Sequence, residues 1–464
     1  MQVIQKRLAA ATPYDPLYDP MKARELGPNS DYAPTYWIGT AGPAPEDDGP
    51  VSSDIDVDVV VIGSGYTGLS CAIHLAKMHG IKAHVLEANG VAYGCSTRNG
   101  GQAQISSGRL KRSQWIGRWG IDTAQGLHAE VTKGFELFRG LIRDHEIDCQ
   151  PQDGGHYYIA HKASVLPGLV SETALLNDKF GYRARMLSRD EVHATVARDM
   201  EAHGAMWEPD GVGIHAAKLA FGYLRVAREL GAKVHVDSPV QGWVMRDGVH
   251  HLRTPGGTVR ARRVAVATAA YAPRSLHPRL KDRLMPIMSN SLVTRVLTSD
   301  ELTSVGIQKL SPLTDTRTLR HYYRLLPDNR LQIGSRAAIT GRDAANPAHL
   351  AALREGMARK FPILRGIDLD YSWWGWVDVS HDMMPRITAL PDVPGAFYAL
   401  GYGGNGVMYS AMAGRRMAQL IAGEAVPDLP IFNSELPHEG WKTPFRRLGQ
   451  WGLYHLYHFR DERK

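Results

Sequence analysis

Three glycines and one acid carry the first chemistry legible in this chain. Gly63, Gly65 and Gly68 stand in the spacing G-x-G-x-x-G, and Glu87 follows about 20 residues later. In a dinucleotide site Gly63 allows the tight turn off a strand, and Gly65 lets a pyrophosphate approach backbone N–H groups. Gly68 lets a helix pack close to the sheet, and Glu87 accepts hydrogen bonds from the adenosine ribose. Glycines alone say little, because 47 of them in 464 residues produce such spacings by chance.

The elements around them give the spacing its force. Val57, Val59, Val60, Val61 and Ile62, interrupted only by Asp58, read as a strand buried on both faces of a parallel sheet. A helical pattern from Leu69 to Met78 follows, and a second short run, Ala83 to Leu86, ends at Glu87. Strand, glycines, helix, strand and acid in register specify an adenine dinucleotide, held at the positive end of a helix.

Two further Gly-rich stretches could face the same ligand. In Cys95–Gln102, CSTRNGGQ, paired glycines beside Arg98 and Asn99 fit backbone packed against a ligand, Arg98 for phosphate and Asn99 for a heteroaromatic ring. The other reading is a Gly-rich turn with a surface arginine. Near the end, the apolar run Gly395–Leu400 leads into Gly401-Tyr402-Gly403-Gly404-Asn405-Gly406-Val407 and a helix from Met408 to Ile421. Its N-terminus either faces a ligand or simply packs closely through glycines.

Between these stretches the pattern alternates. Helices are expected over Asp122–His145, Val165–Phe180, from the Ser188–Glu191 capping box, over Lys218–Leu230 and over Pro347–Phe361. Strands are expected at His156–Ile159, Lys233–Val236, Val240–Met245, His250–Thr254, Val259–Thr268, Ser291–Thr298, Leu319–Leu326, Leu331–Ile339 and Tyr371–Val379. Residues 1–54, rich in Pro, Asp, Tyr and Gly, read as an extension that Tyr36-Trp37 either anchors to the body or leaves loose.

Composition excludes several classes. A net charge of +7 over this length, with no dense basic block, does not indicate nucleic-acid binding. Arg446, Arg447, Arg460, Arg463 and Lys464 read as a solvated face. Cys71, Cys95 and Cys149 are too few and scattered for a disulfide framework or metal cluster, so no metal is expected. No h-region precedes the prolines of residues 1–20, and no run of about 18 apolar residues exists. A cytoplasmic enzyme without a membrane span is the expectation; the oligomeric state is open.

Taken together, the VVVIGSGYTGLSCAIHLA unit with Glu87, STRNGGQ, AVATAAYAP, RLQIGSR, WWGWVDV followed by HDMMP, and GYGGNGV resemble FAD-dependent oxidoreductases of the D-amino-acid oxidase superfamily. Within it the chain is most similar to the gamma-glutamylputrescine oxidase branch, through Tyr36-Trp37, Tyr66-Thr67-Gly68, the SxRNGGQ loop and the basic aromatic tail. The resemblance implies an α/β fold (α+β overall): a Rossmann-like FAD-binding domain of the glutathione-reductase type with an inserted, mostly antiparallel substrate domain. The expected parts are an N-terminal extension (1–54), an FAD-binding domain (55–110, 150–275 and 380–425), a substrate domain (111–149 and 276–379) and a C-terminal tail (426–464).

By the same resemblance, Gly63, Gly65, Tyr66, Thr67, Gly68, Glu87 and Ala88 hold the nucleotide. Ser96, Thr97, Arg98, Asn99, Gly100 and Gln102 line the pyrophosphate and flavin, and Val240 meets the adenine. Ala267 and Thr268 close the central strand's end, and Gly403, Gly404, Asn405, Gly406 and Val407 lie by the flavin. The flavin is expected to be non-covalent, because the last cysteine is Cys149 and the loop has no histidine. Cys95, where a small residue is more familiar, is expected to alter packing only.

The implied reaction is hydride transfer from the carbon beside an amine nitrogen, giving an imine. The substrate is an amine or amino acid, and dioxygen or another acceptor reoxidises the cofactor. Expected alternatives are an amino-acid or imino-acid dehydrogenase using a quinone, and a flavin-binding protein without turnover. Candidate pocket residues are His321, Tyr322, Arg324, Arg336 and Trp374. Alternation places Tyr322 and Arg324 on one face, and Arg324 or Arg336 binds either a substrate carboxylate or a structural acid. The Trp373, Trp374, Trp376 cluster reads as core or as substrate cage, and no catalytic base is nominated.

Overall fold

The computed structural model describes residues 18–23, 31–308, 311–438 and 440–462. The leader reading of the N-terminus falls almost wholly outside these residues, as do Arg463 and Lys464.

Two large sheets organise the chain. The first runs Arg386–Ala389, Ala396–Leu400, Gly257–Val266, Ile55–Ile62, His84–Leu86, Lys233–His235, with the Gly242–Arg246/Val249–Thr254 hairpin appended to Gly257–Val266. Its centre is parallel: Val61 faces Ala265 on one side and Val85 on the other. The strand Ile55–Ile62 is buried on both faces only over its second half. Asp54 and Asp56 at its open end pair with Arg260 on the next strand.

The second sheet runs Leu369–Val377, Ile287–Thr294, Leu331–Ser335, Tyr322–Leu325, Leu313–Asp315, His156–Ile159, Gly204–Glu208, Arg185–Ser188. It is antiparallel except where Leu313–Asp315 meets His156–Ile159. The strands between residues 156 and 208 thus belong to this sheet and not to the first, which corrects the expected domain limits. The physical reason is pairing across distant sequence, invisible to local pattern. The segment 111–149 moves the other way. The long helix Arg112–Asp144, kinked at Gly120, packs Leu127, Val131, Phe135 and Phe138 into the first layer's core.

Helix Tyr66–His79 ends at Gly80 with φ +67°, a left-handed C-cap. It lies against helix Gly406–Ala422, whose small residues permit a close approach: a Cβ on Gly414 would stand 2.6 Å from the Cys71 nitrogen. Ser70 Oγ donates to the Ala411 carbonyl at 2.7 Å. The Ser188 capping box forms as expected. The strand read over Ser291–Thr298 stops at Thr294, because Thr298 and Glu301 make a second capping box opening helix Ser299–Val305.

The extension is anchored. Trp37, fully buried, donates from Nε1 to the Asn99 carbonyl at 2.8 Å and packs on His215 and Trp373. The C-terminal helix Arg446–Glu462 reverses the solvated-face reading of its first arginines. Arg446 is buried and pairs with Asp282, and Arg447 pairs with Asp19, while Leu448, Trp451 and Leu456 point outward. No helix among the described residues is long and apolar enough to cross a membrane.

Candidate active site

One elongated cavity runs between the two sheets, and its first end is the glycine motif. Gly63 has φ +102°, and a Cβ there would approach the Ala267 carbonyl to 2.7 Å. A Cβ on Gly68 would collide with the Gly63 carbonyl, so the helix closes onto the turn only without one. Gly68 therefore packs behind the cavity, while Gly63, Gly65, Tyr66 and Thr67 line it. The Tyr66 N–H donates to Ser96 Oγ, yet Gly65 offers no side-chain cap to the helix. An N-terminus so arranged suits a phosphate.

Glu87 and Ala88 line the same end. Glu87 Oε2 accepts from the Ser64 N–H (3.0 Å) and Ser64 Oγ (2.6 Å), and Oε1 accepts from the Ala88 N–H (2.9 Å). Burial pushes its carboxyl up, and those donors hold it down. Val240 lines the cavity from a loop, since the strand read from it begins at Gly242. Ala267 and Thr268 also line it.

The CSTRNGGQ stretch forms the middle wall. Ser96, Arg98, Asn99, Gly100 and Gln102 face the cavity; Thr97 turns away, donating to the Ala92 carbonyl at 2.9 Å. Arg98 stacks on Tyr93 and Tyr271 and donates to the Tyr271 hydroxyl at 2.8 Å; burial lowers its pKa to about 10. Cys95 donates from Sγ to the Trp376 carbonyl at 2.8 Å, and burial pushes this thiol up.

Across from it lies the late Gly loop. Gly404, Asn405, Gly406 and Val407 line the cavity, and Gly403 sits behind, packed on Arg109. The Tyr402 hydroxyl lies 2.9 Å from Thr67 Oγ1, joining the two strand–Gly-loop–helix units. Asp378 accepts from the Gly401 N–H at 2.7 Å and the Tyr402 N–H at 3.3 Å. Burial raises this carboxyl to about 7.

Of the five pocket candidates, Tyr322 and Arg336 line the cavity. Tyr322 lies over Gly100, with its hydroxyl between Ser289 Oγ (3.0 Å) and Ser291 Oγ (2.9 Å). The other three do not line it. Arg324 is buried behind the loop, donating to the Ile214 carbonyl (2.6 Å) and Gln152 Oε1 (2.9 Å) under Trp37. It is a core stitch, where the expectation offered a carboxylate ligand. His321 lies beside Asp315 (3.4 Å), and Trp374 packs in an aromatic core cluster with Tyr93, Tyr271 and Trp376.

Glu201, Asp315 and His321 gather closely enough to hold a metal, but Lys360 Nζ already sits 3.1 Å from Asp315 and 3.3 Å from Glu201. Arg317 adds a second cation to the group. These pairs make it a buried ionic network.

Sequence reading missed Gln104, Asp378, Tyr402 and Arg320, all of which line the cavity. Asp378 and Tyr402 stood inside quoted motifs, WWGWVDV and GYGGNGV, as the polar members of apolar or Gly-rich runs. Gln104 and Arg320 carried no local signal.

The donor set fits FAD: a glycine turn for the pyrophosphate, an acid for the ribose, and two further walls, from Ser96 to Gln102 and from Gly404 to Val407, lining the same cavity. Comparisons with known proteins agree. Gamma-glutamylputrescine oxidoreductase of Escherichia coli (strain K12) is 32% identical over 433 residues, covering 90% of this chain and 97% of that protein. A probable oxidoreductase, OrdL, of Haemophilus influenzae is 29% identical over 400 residues, 85% of this chain and 88% of that one. Glycine oxidase from Geobacillus kaustophilus superposes with a TM-score of 0.67 at 20% identity, covering 80% of this chain and 96% of that structure, a likeness of fold. The profile of the FAD dependent oxidoreductases (DAO) matches residues 58–420, and the chain belongs to that family.

Proposed function

We propose that this protein is an oxidase of γ-glutamylated amines, converting a substrate C–N bond to an imine and passing the electrons to dioxygen to give hydrogen peroxide. The observation that carries this reading is the single cavity with a dinucleotide motif at one end and a polar wall of Gln104, Tyr322, Arg320 and Arg336 at the other. The similarity to the Escherichia coli enzyme along nearly the whole chain supports the substrate class. When bound, FAD supplies the hydride acceptor.

The chain's own residues position and tune. Glu87, held in place by Ser64, would orient the ribose, and the N-terminus of helix Tyr66–His79 the pyrophosphate. Helix Gly406–Ala422 begins at Asn405 without a side-chain cap, so its first N–H groups are available to negative charge developing beside them. Arginine charges around a buried amine disfavour its ammonium form, which favours the neutral amine that oxidation needs. Cys95 is held by Trp376, and Cys149 lies away from the cavity, which supports non-covalent FAD.

The test is spectroscopic. Purified protein is expected to be yellow, to release FAD on denaturation, to bleach anaerobically with γ-glutamylputrescine, and to recolour in air with one hydrogen peroxide per turnover. Bleaching without recolouring in air would reassign it as a dehydrogenase. No bleaching by any amine would overturn the reading.

A further inference from the structure

The C-terminal helix Arg446–Glu462 presents its apolar side to solvent. Arg446, Gln450 and Asp461 are buried and Tyr454 is half-buried, so polar groups recur at the helical period on the face against the body. Leu448, Trp451, Leu453, Leu456 and Phe459 lie 46–66% exposed on the remaining surface. A surface helix held by core packing turns its apolar stripe the other way.

Polar anchors hold this reversal in place. Arg446 pairs with Asp282 and donates to the Leu284 carbonyl at 2.9 Å. Asp461 accepts from the Thr318 hydroxyl (3.2 Å) and the Leu319 N–H (3.1 Å), and Glu462 pairs with Arg317 and Arg359. Anchors at both ends fix which face looks outward. A Cβ on Gly449 or Gly452 would meet nothing within 4 Å, so among the described residues this face is open at its middle. Other exposed apolar side chains, such as Met78, Val170 and Ile363, stand singly on separate elements, which is ordinary for a folded surface. Several along one helix mark an interaction surface.

Charge selects the partner. The acids of the helix, Asp461 and Glu462, are both engaged by the body, whereas Lys442 just before the helix and Arg460 in its last turn are exposed. Lys162 adds a cation beside Arg460, donating to its carbonyl at 2.7 Å. The whole chain carries +7. A second copy of this face would bring like charges together, while an anionic lipid surface supplies the opposite sign. Trp451 is a residue type that favours the headgroup level of a bilayer, and Leu and Phe beside it supply the apolar area.

We propose that the outward face of helix Arg446–Glu462 docks on an anionic lipid surface, lying in the plane of the interface without crossing the bilayer. Leu448, Trp451, Leu456 and Phe459 enter the boundary between headgroups and acyl chains. Lys442, Lys162 and Arg460 meet the lipid phosphates at either end of the stripe. None of these residues lines the cavity, so docking stands independently of amine oxidation.

The experiment is cosedimentation of the full, FAD-loaded chain with vesicles of phosphatidylcholine alone or with about 30% phosphatidylglycerol. The wild type is expected to bind the anionic vesicles at least about 10-fold more tightly, and less so as salt is raised. Leu448→Glu with Trp451→Glu should weaken that binding by about 10-fold or more, with flavin content and Tm unchanged. Arg460→Gln leaves the apolar stripe intact and should weaken binding to the anionic vesicles alone by about 5-fold. Val244→Glu with Met245→Glu, an exposed apolar pair on another element, should leave binding as it is. Wild type that stays in the supernatant, or that binds both vesicle types alike, would overturn the proposal. So would an equal loss of binding in the Val244 and Met245 variant. A dimer in sedimentation velocity that the Leu448 and Trp451 variant abolishes, without vesicle binding, would assign the face to a second copy of the chain instead.

Discussion

The two ends of the cavity are built on opposite principles. At the nucleotide end the polar groups are satisfied in advance. Glu87 holds three hydrogen bonds from Ser64 and Ala88, and Gly63 and Gly68 sit where a Cβ would meet backbone. At the arginine end Arg320 and Arg336 face the cavity with no acid and no hydrogen bond from the described residues. A resident cofactor tolerates a pre-satisfied cradle, since its own groups add to a network that is already in place. A substrate that must enter and leave is better served by groups whose satisfaction waits for it.

The comparison can be broken most sharply at Gly68. A valine there collides with the Gly63 carbonyl, at a cost on the order of 3 kcal/mol, and should yield colourless protein. The flavin-to-protein absorbance ratio measures it; a yellow variant of full stability would remove the argument for close packing. Next in size is Arg324→Met, which leaves the Ile214 carbonyl and Gln152 without their donor. It should destabilise by about 2–3 kcal/mol in denaturant melts, whereas Arg336→Met, at the cavity wall, should cost under about 0.5 kcal/mol. Equal losses would erase the distinction between core stitch and cavity wall.

Glu87→Gln keeps the shape of the nucleotide end and removes its charge. FAD affinity, followed by fluorescence on reconstitution, is expected to fall about 10-fold. Asp378 tests the base of the late Gly loop, where it accepts from the Gly401 and Tyr402 N–H groups. Its folded pKa, raised to about 7 by burial, lies above the ordinary carboxylate value of about 3.9. Its contribution to stability is therefore fully present below the ordinary value and lost as pH rises through about 7. Wild-type Tm should fall by about 2–4 °C relative to Asp378→Asn between pH 5 and 8, and parallel pH profiles would contradict this. The smallest effect is expected of Arg320→Gln, which relieves like-charge repulsion and should leave the substrate-free Tm unchanged or about 1 °C higher. A lower Tm would mean that Arg320 serves the fold.

Legibility in the sequence divides along the same line. Gly63, Gly65 and Glu87 were readable because turn, helix start and strand end lie within one continuous stretch, where local rules apply. Gly404–Val407 was readable because a strand–Gly-loop–helix unit repeats the same local logic. Arg324 and Arg336 could not be told apart, since each sits on a β-type run beside apolar neighbours. Only the tertiary structure set Arg324, on strand Tyr322–Leu325, behind the loop and Arg336, one residue past strand Leu331–Ser335, at the cavity.

By itself the sequence determined the dinucleotide cradle, the helix caps and the presence of a second, β-rich layer, because each is fixed by contacts among near neighbours. The tertiary structure alone decided that residues 156–208 complete that layer. It also decided that the C-terminal helix turns Arg446 and Arg447 inward, and that Arg320 and Arg336 both reach the cavity. Arg446 and Arg447 meet Asp282 and Asp19, 164 and 428 residues away along the chain. Their meeting depends on how two sheets and a terminal helix pack, which no spacing along the chain encodes.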